Sequence, residues 1–215
     1  MAKKLKNICF EENVKDSKYV RPMRATYELN GSRLTWDMAF ENDSVSIVLF
    51  HTKLKKIVLV KQFRAVVFFR NILRLPENKG KSYNDINFHE YDVQIGETME
   101  LCAGIVDKPL GLKEIAMEEV LEECGYKVDD LELVKSFVDG VGISGAEHTI
   151  FFGTVTDEQK VSEGGGNPSE GEFIEIKYLT IEEVRTLLKE VHNCPPSLLY
   201  GLSWFLENRK ELYSA

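Results

Sequence analysis

Apolar and polar residues along the chain predict an α/β protein with strands before and after a central helix. Two nearly continuous apolar runs, SVSIVLF (44–50) and KIVLVKQF (56–63), flank the polar turn HTKLK and are typical of strands covered on both faces. The dipeptide Asn30-Gly31 lies between two β-prone runs, which predicts a hairpin. Further strands are predicted over 93–107, 129–140, 147–156 and 173–179.

A helix rich in glutamate is predicted near the middle of the chain, within residues 103–126, and Gly125 should end it. Its glutamates are Glu114, Glu118, Glu119, Glu122 and Glu123, and its core side should be Met117, Val120, Leu121 and Cys124. Like charges three and four residues apart repel each other, and Mg²⁺ relieves such repulsion because it prefers carboxylate oxygens. The spacing alone leaves a metal site and a solvated acidic face both open.

Two more helices are predicted near the end of the chain. The segment TIEEVRTLLKEV (180–191) combines Thr180 with Glu183 in a capping box. The segment 197–212 has an apolar stripe, formed by Leu198, Leu199, Leu202 and Phe205. Strands on both sides of a central helix, followed by two helices, predict a mixed sheet between helices.

Three loops have compositions that bear on function. Residues 75–92 are polar and lack periodicity, which predicts a long, mobile surface loop. The loop GVGISG (140–145) is either a turn that lines a substrate or a flexible connection. Three glycines in KVSEGGGNPSEGE (160–172) predict mobility, so this loop is either a surface turn or a lid that delivers Glu170 and Glu172.

Composition and charge restrict the function classes. The 215 residues are 43% hydrophobic and 29% charged, which is ordinary for a globular protein. A net charge of −8 argues against nonspecific binding to nucleic acid or to an anionic membrane. The four cysteines are widely spaced and are expected to be reduced thiols, which favours a cytoplasmic protein.

The N-terminal 41 residues contain the predicted hairpin and two aromatic residues of interest, Tyr19 and Trp36. Each aromatic either packs in the hairpin or stacks on a ligand. A lone hairpin buries little surface, so we expect this region to pack on the main domain or on another subunit.

The central segment resembles the signature of the Nudix hydrolase family. Gly104 and the run EEVLEECGY match that signature, whereas Leu110 and Glu118 replace its first glutamate and its arginine. Similarity to the branch that acts on sugar nucleotides extends over roughly residues 17–207. Its motifs are WDMAF…DSVSIVLF, VLVKQFRAVV, ELCAGIVD, VGISG, EGEFIEI and YGLSWFLEN.

The resemblance implies a Nudix α/β/α sandwich over 42–215, preceded by a small β domain over 1–41 that exchanges within a homodimer. It implies Mg²⁺, or Mn²⁺, bound by Glu119, Glu122, Glu123 and the Ala103 carbonyl. Glu172 is implied as the catalytic base, supported by Glu170. The implied substrate contacts are Arg64, Trp36, Tyr19, Glu100 and Ser144, with Arg64 on phosphate.

The implied reaction is hydrolysis of the pyrophosphate bond of nucleoside diphosphate sugars. UDP-glucose, which gives UMP and glucose 1-phosphate, is the first candidate substrate. ADP-ribose is an alternative, because stacking aromatics do not choose uracil over adenine. A third hypothesis is a binding module without catalysis, which Leu110 and Glu118 favour and the retained glutamates argue against.

Overall fold

The computed structural model describes residues 4–11, 14 and 16–214, with backbone alone for Glu170. The strands are β1 (Arg21–Leu29), β2 (Ser32–Phe40), β3 (Ser44–His51), β4 (Lys56–Phe63), β5 (Glu97–Glu100), β6 (Cys102–Ile105), β7 (Glu132–Val138), β8 (Glu147–Val155) and β9 (Glu175–Thr180). The helices are α1 (Ala65–Leu73), α2 (Leu112–Cys124), α3 (Ile181–Glu190), α4 (Pro196–Asn208) and α5 (Lys210–Tyr213).

The two apolar runs of the sequence form the centre of a seven-stranded mixed sheet. Its main order is β5-β4-β3-β8-β7, with β6 also paired to β3 and β9 to β4. Side chains of β3 alternate between two buried clusters: Val45, Ile47 and Leu49 contact the α2 side, whereas Val48 and Phe50 contact the α3 and α4 side. Helices therefore cover both faces, which confirms the predicted α/β/α sandwich.

The predicted hairpin is confirmed as a separate two-stranded sheet of β1 and β2. Asn30 and Gly31 both have positive φ, 54° and 76°, as a two-residue turn between twisted strands requires. Most of the hairpin is exposed. Its contacts with the sheet domain include the bond from the Ala39 N–H to the Ile143 carbonyl, 3.0 Å.

The predicted surface loop over 75–92 is exposed over most of its length, but it contains short 3₁₀ turns and several packed side chains. Ile86 and Phe88 of this region are buried against Phe68 and Ile72 of α1. Helix α1 was not predicted, because only Arg64 separates its apolar start AVVFF from the apolar strand β4, and the change of hydrophobic period is therefore hidden. The turns were missed because their buried residues are irregularly spaced.

Helix α2 ends at Gly125 as predicted, with a left-handed φ of 72°. The predicted core side was wrong at Leu121, which is 38% exposed, whereas Glu123 is 3% exposed. At 100° per residue, Ile115 and Val120 mark out a buried arc of about 140°, and both Glu119 and Glu123 fall inside it. Two carboxylates therefore face the protein interior.

The two later helices are confirmed with one correction. Thr180 and Glu183 form the predicted capping box at the start of α3. In α4, Leu198, Leu202 and Phe205 are fully buried, but Leu199 is 39% exposed and was wrongly placed in the stripe.

All four cysteines are free thiols, and Cys102 and Cys124 are buried. None of the helices in the described part of the chain combines the length and the apolar character needed to span a lipid bilayer.

Candidate active site

Glu123 is the most deeply buried carboxylate of α2. Its Oε2 accepts a hydrogen bond from the Ala103 N–H, at 2.9 Å, which ties the helix to β6. Burial raises the pKa of Glu123 to about 8, and repulsion from Glu119 and Glu172 adds to this rise. A carboxylate in this position favours either a proton or a metal ion.

Glu119 lies one turn earlier on the same side of α2. Its side chain lies against the backbone of Gly104, where an added Cβ would be 2.1 Å from Glu119 Oε1. Burial raises the pKa of Glu119 to about 7, helped by repulsion from Glu122 and then Glu172. Among the described residues, none donates a hydrogen bond to this carboxylate. Because an added Cβ would collide with the Glu119 carboxylate, β6 can pass this close to Glu119 only with glycine at position 104.

Glu122 is exposed, and its nearest cation is Lys108, whose Nζ is 3.9 Å from Glu122 Oε1. The same Nζ is 2.7 Å from Glu118 Oε2. Glu118 is thus paired with a lysine from the segment between β6 and α2. Lys108 was not among the residues predicted from the sequence, although a lone lysine just before an acidic helix is a visible signal.

Glu172 comes from the loop before β9, far from α2 in sequence. Its Oε2 accepts the Asn167 N–H at 3.1 Å, and its own N–H donates to the Asn167 carbonyl at 3.2 Å. Its charge acts on Glu119, Glu123 and Arg64, so the fold brings these four side chains into one electrostatic neighbourhood.

Arg64 directly follows β4, and Glu100 ends β5, which is the neighbouring strand. The Arg64 Nε and Nη2 each donate to one oxygen of Glu100, both at 2.8 Å. Thr98 and Gln62 donate to the same carboxylate, at 2.6 and 3.4 Å. Glu100 is 6% exposed, whereas the Arg64 side chain is 45% exposed. The bidentate pair fixes the guanidinium and leaves its Nη1 free of these bonds.

The other predicted contacts lie around the hairpin and the 140–145 loop. Trp36 is 51% exposed and donates its Nε1–H to the Gly142 carbonyl at 3.1 Å, and Tyr19 is 67% exposed. The Ser144 Oγ is buried inside the loop, close to Gly140, and has no hydrogen-bond partner in the described structure. The predicted role of the Glu170 side chain lies outside the described residues.

The donor set of α2 fits a magnesium ion. In the described part of the chain, no three Asp, Glu, His or Cys side chains converge as a complete metal cage. Mg²⁺ rarely needs one, because it keeps several waters and takes only one or two carboxylates together with substrate phosphates. Glu119 and Glu123, whose pKa values are both raised by burial and by repulsion from neighbouring carboxylates, supply such a pair.

Curated relatives cover most of this chain, although no family model matches it. The chain is 37% identical over 198 residues to uridine diphosphate glucose pyrophosphatase NUDT14 of Bos taurus, a match that spans 88% of this chain and 89% of the relative. The corresponding protein of Mus musculus is 36% identical over the same shares of each chain. A GDP-mannose pyrophosphatase of Escherichia coli (strain K12) is 26% identical over 187 residues, which span 86% and 78% of the two chains. The chain belongs to the Nudix hydrolase family, among relatives of the uridine diphosphate glucose pyrophosphatases.

Proposed function

We propose that this protein hydrolyses the pyrophosphate bond of nucleoside diphosphate sugars, with UDP-glucose as the main substrate. One observation supports the proposal most strongly. The carboxylate of Glu172 lies close enough to Glu119, Glu123 and Arg64 for its charge to affect the pKa of each of them. The names of the relatives, which act on UDP-glucose and GDP-mannose, support the substrate class.

Glu119 and Glu123 would hold Mg²⁺, with Glu122 and the Ala103 carbonyl as further ligands and Mn²⁺ as a substitute ion. When bound, the metal supplies positive charge to the diphosphate and lowers the pKa of a coordinated water. The chain itself carries a net charge of −8 and needs such local neutralisation to accept an anionic substrate.

Arg64 binds a phosphate oxygen of the substrate through N–H groups that Glu100 does not occupy. Glu100 is buried and already accepts hydrogen bonds from Arg64, Thr98 and Gln62, so we assign it to orient Arg64. Fixed positive charge near the phosphorus stabilises charge that builds up in the transition state.

Glu172 accepts a proton from the attacking water. The water oxygen forms a bond to phosphorus while the bridging P–O bond breaks, and the products are UMP and glucose 1-phosphate. A base on a separate loop suits this task because it approaches the water from outside the helix that binds the metal. Glu170 is proposed to support Glu172.

The test is direct. Purified protein with Mg²⁺ is incubated separately with UDP-glucose, GDP-mannose and ADP-ribose, and the released UMP, GMP or AMP is measured. We expect UDP-glucose to have the highest kcat/KM. Replacement of Glu172 with Gln should lower kcat by about 10²- to 10⁴-fold and leave KM nearly unchanged. A higher kcat/KM for ADP-ribose would assign the protein to that substrate instead.

A binding module without catalysis is the contrasting hypothesis, because Leu110 and Glu118 depart from the Nudix signature. It predicts tight binding of UDP-glucose, no product with either metal, and no change in Glu119→Gln. The Lys108–Glu118 ion pair favours the enzyme. Glu118 occupies the position of the signature's arginine, and Lys108 supplies a positive charge next to that position.

Residues 1–41 and 42–215 are proposed to be separate domains, with the first exchanged in a homodimer. By the register of the two strands, one hairpin face carries Met23, Ala25, Tyr27, Leu29, Leu34, Trp36, Met38 and Phe40, with Arg21 and Ser32 at its edges. Most of these side chains are more than one-third exposed within a single chain. An apolar face on a two-stranded sheet needs a cover, and a second copy provides it symmetrically. Trp36 and Tyr19 would then stack on the substrate base near the domain boundary.

The cytoplasm is the proposed location. All four cysteines are free thiols, and a reducing compartment keeps exposed Cys9 in that form.

A further inference from the structure

The segment Gly164–Gly166 packs its backbone directly on the carboxyl end of α2. The last carbonyl groups of a helix have no partner inside the helix. Here the Gly165 N–H donates to the Glu123 carbonyl at 2.8 Å, and the Gly166 N–H donates to the Glu122 carbonyl at 3.2 Å. The Lys160 Nζ donates to the following carbonyl, that of Cys124, at 2.7 Å. This loop therefore completes the end of the metal-binding helix.

The close approach explains why glycine occupies these positions. A Cβ on Gly164 would be 2.5 Å from the Glu123 carbonyl oxygen and 2.8 Å from the Cys124 carbonyl carbon. Both of those are backbone atoms that cannot rotate away. A Cβ on Gly125, at the end of α2, would collide in the same way, because it would lie 2.2 Å from the Ser162 carbonyl oxygen. Two backbones in contact leave no room for side chains.

The opposite side of the same segment supports Glu172. The Ile174 N–H donates to the Gly165 carbonyl at 3.1 Å and closes the loop that carries Glu172. A Cβ on Gly166 would be 2.9 Å from the Glu172 Cβ and 3.0 Å from its Oε2. The Glu172 side chain therefore lies against the backbone of Gly166. The same glycine segment donates hydrogen bonds to the carbonyl groups of Glu122 and Glu123.

We propose that Gly164–Gly166 is a positioning element that holds the Glu172 carboxylate at a fixed place relative to the carboxylates of α2. This inference rests on the proposed function, in which Glu172 accepts the proton of water. The sequence predicted that the three glycines would give mobility, whereas their contacts give them an anchoring role. Glycine is required here for close approach and for its positive φ, 71° to 106° along the segment.

The test compares Gly166→Ala with a control, Gly80→Ala. Gly80 also has a positive φ, 81°, but nothing lies within 4 Å of its Cβ position, so the control carries the backbone strain without a collision. We expect Gly166→Ala to lower kcat by about 10- to 100-fold, because a displaced base loses much of its contribution. KM and the Mg²⁺ dissociation constant should stay near wild type, and Gly80→Ala should match wild type throughout.

The double variant Gly166→Ala/Glu172→Gln separates positioning from general damage. If Gly166 acts through Glu172, the double variant has the kcat of Glu172→Gln alone. If Gly166→Ala lowers kcat by the same factor in both backgrounds, it acts independently and the proposal is overturned. If Glu172→Gln has the same kcat as wild type, Glu172 is not the base. The positioning role proposed for Gly164–Gly166 is then overturned as well.

Amide hydrogen exchange of the metal-free wild-type protein tests the anchoring without any activity. The Gly165 and Gly166 amides should exchange at least about tenfold more slowly than in an unstructured peptide, since both bond to carbonyls of α2. Exchange at the unstructured rate would overturn the proposal even in an active enzyme. Slow exchange in a protein that cleaves no nucleotide sugar would overturn the proposed function and uphold the anchoring. Because the measurement uses wild-type protein, it also decides the matter if Gly166→Ala does not fold.

Discussion

Single carboxylates of α2 differ in burial, and this difference controls how they titrate. Glu123 and Glu119 have pKa values raised to about 8 and about 7, in both cases chiefly by burial. Each therefore carries a proton over part of the neutral range, and a cation must displace that proton to bind. We predict that the Mg²⁺ dissociation constant falls as the pH rises from 6 to 8.5, as measured by calorimetry.

Two variants check this assignment. Glu119→Gln removes one of the two titrating groups and should weaken Mg²⁺ binding and flatten its pH dependence. Glu114→Gln is the matched control, since Glu114 is an exposed glutamate in the first turn of the same helix. An unaltered pH dependence in Glu119→Gln would show that the binding protons belong to other groups.

Lys108 and Glu118 form an ion pair at a position where the Nudix signature has an arginine instead of Glu118. Both side chains are about two-fifths exposed, so we expect a coupling free energy of only about 0.2–1 kcal/mol. Unfolding of Lys108→Met, Glu118→Gln and the double variant measures this value in a double-mutant cycle. The coupling should shrink at 1 M salt because solvent-exposed charges are screened. A coupling free energy of zero at low salt would show that the ion pair does not contribute to the stability of the protein.

The paired strands β3 and β8 enclose a histidine that links pH to stability. The His148 Nδ1 lies 2.6 Å from Ser44 Oγ and its Nε2 lies 2.9 Å from Ser46 Oγ. Burial lowers the pKa of His148, and the charge of Asp139 opposes this only in part. The unfolded chain therefore binds a proton more readily, so this group costs stability as the pH falls below about 6.5.

We predict that His148→Gln loses less stability than wild type when the pH falls from 7 to 5. Glutamine keeps hydrogen-bonding atoms near the two serines but has no charge to gain. The measurement is urea unfolding at each pH, and the comparison is between slopes, because carboxylates destabilise both proteins in acid. His89→Gln is the control, since His89 is exposed. Parallel slopes for wild type and His148→Gln would contradict the prediction.

Elements with strong hydrophobic periodicity or a capping signal were predictable from the sequence. Elements that depend on tertiary contacts between distant residues were not. β3, β4, the Asn30-Gly31 hairpin and the Thr180 capping box follow from local sequence rules. Helix α1 and the packed side chains of the 75–92 region depend on aromatic residues that meet only after folding. The glycines 164–166 were interpreted as mobile for the same reason, because sequence alone does not reveal the α2 backbone that lies against them.

The candidate site shows the same division. The glutamates of α2 were predicted from their spacing, and Glu172 was predicted from its loop and then by resemblance. The burial that distinguishes Glu123 from exposed Glu122 nevertheless depends on β6. The bidentate bond between Arg64 and Glu100 depends on the pairing of β4 with β5. Contacts between distant elements decide which predicted residues face the substrate and which support others.

The exposed apolar face of the β1–β2 hairpin is the strongest reason to expect a dimer. Leu34 lies on that face opposite Tyr27, whereas its neighbour Thr35 lies on the other face opposite Thr26. If the apolar face is covered by a second chain, Leu34→Glu places a charge in the interface and Thr35→Glu does not.

We therefore predict that wild type and Thr35→Glu have twice the 24.6 kDa mass of the chain by light scattering at micromolar concentration, and that Leu34→Glu has the mass of one chain. The two variants add the same charge one residue apart on the same strand, so a general effect of charge would change both alike. A monomeric wild type would exclude the exchange of residues 1–41. A dimeric Leu34→Glu would place the interface elsewhere, and the apolar face would then need a different cover.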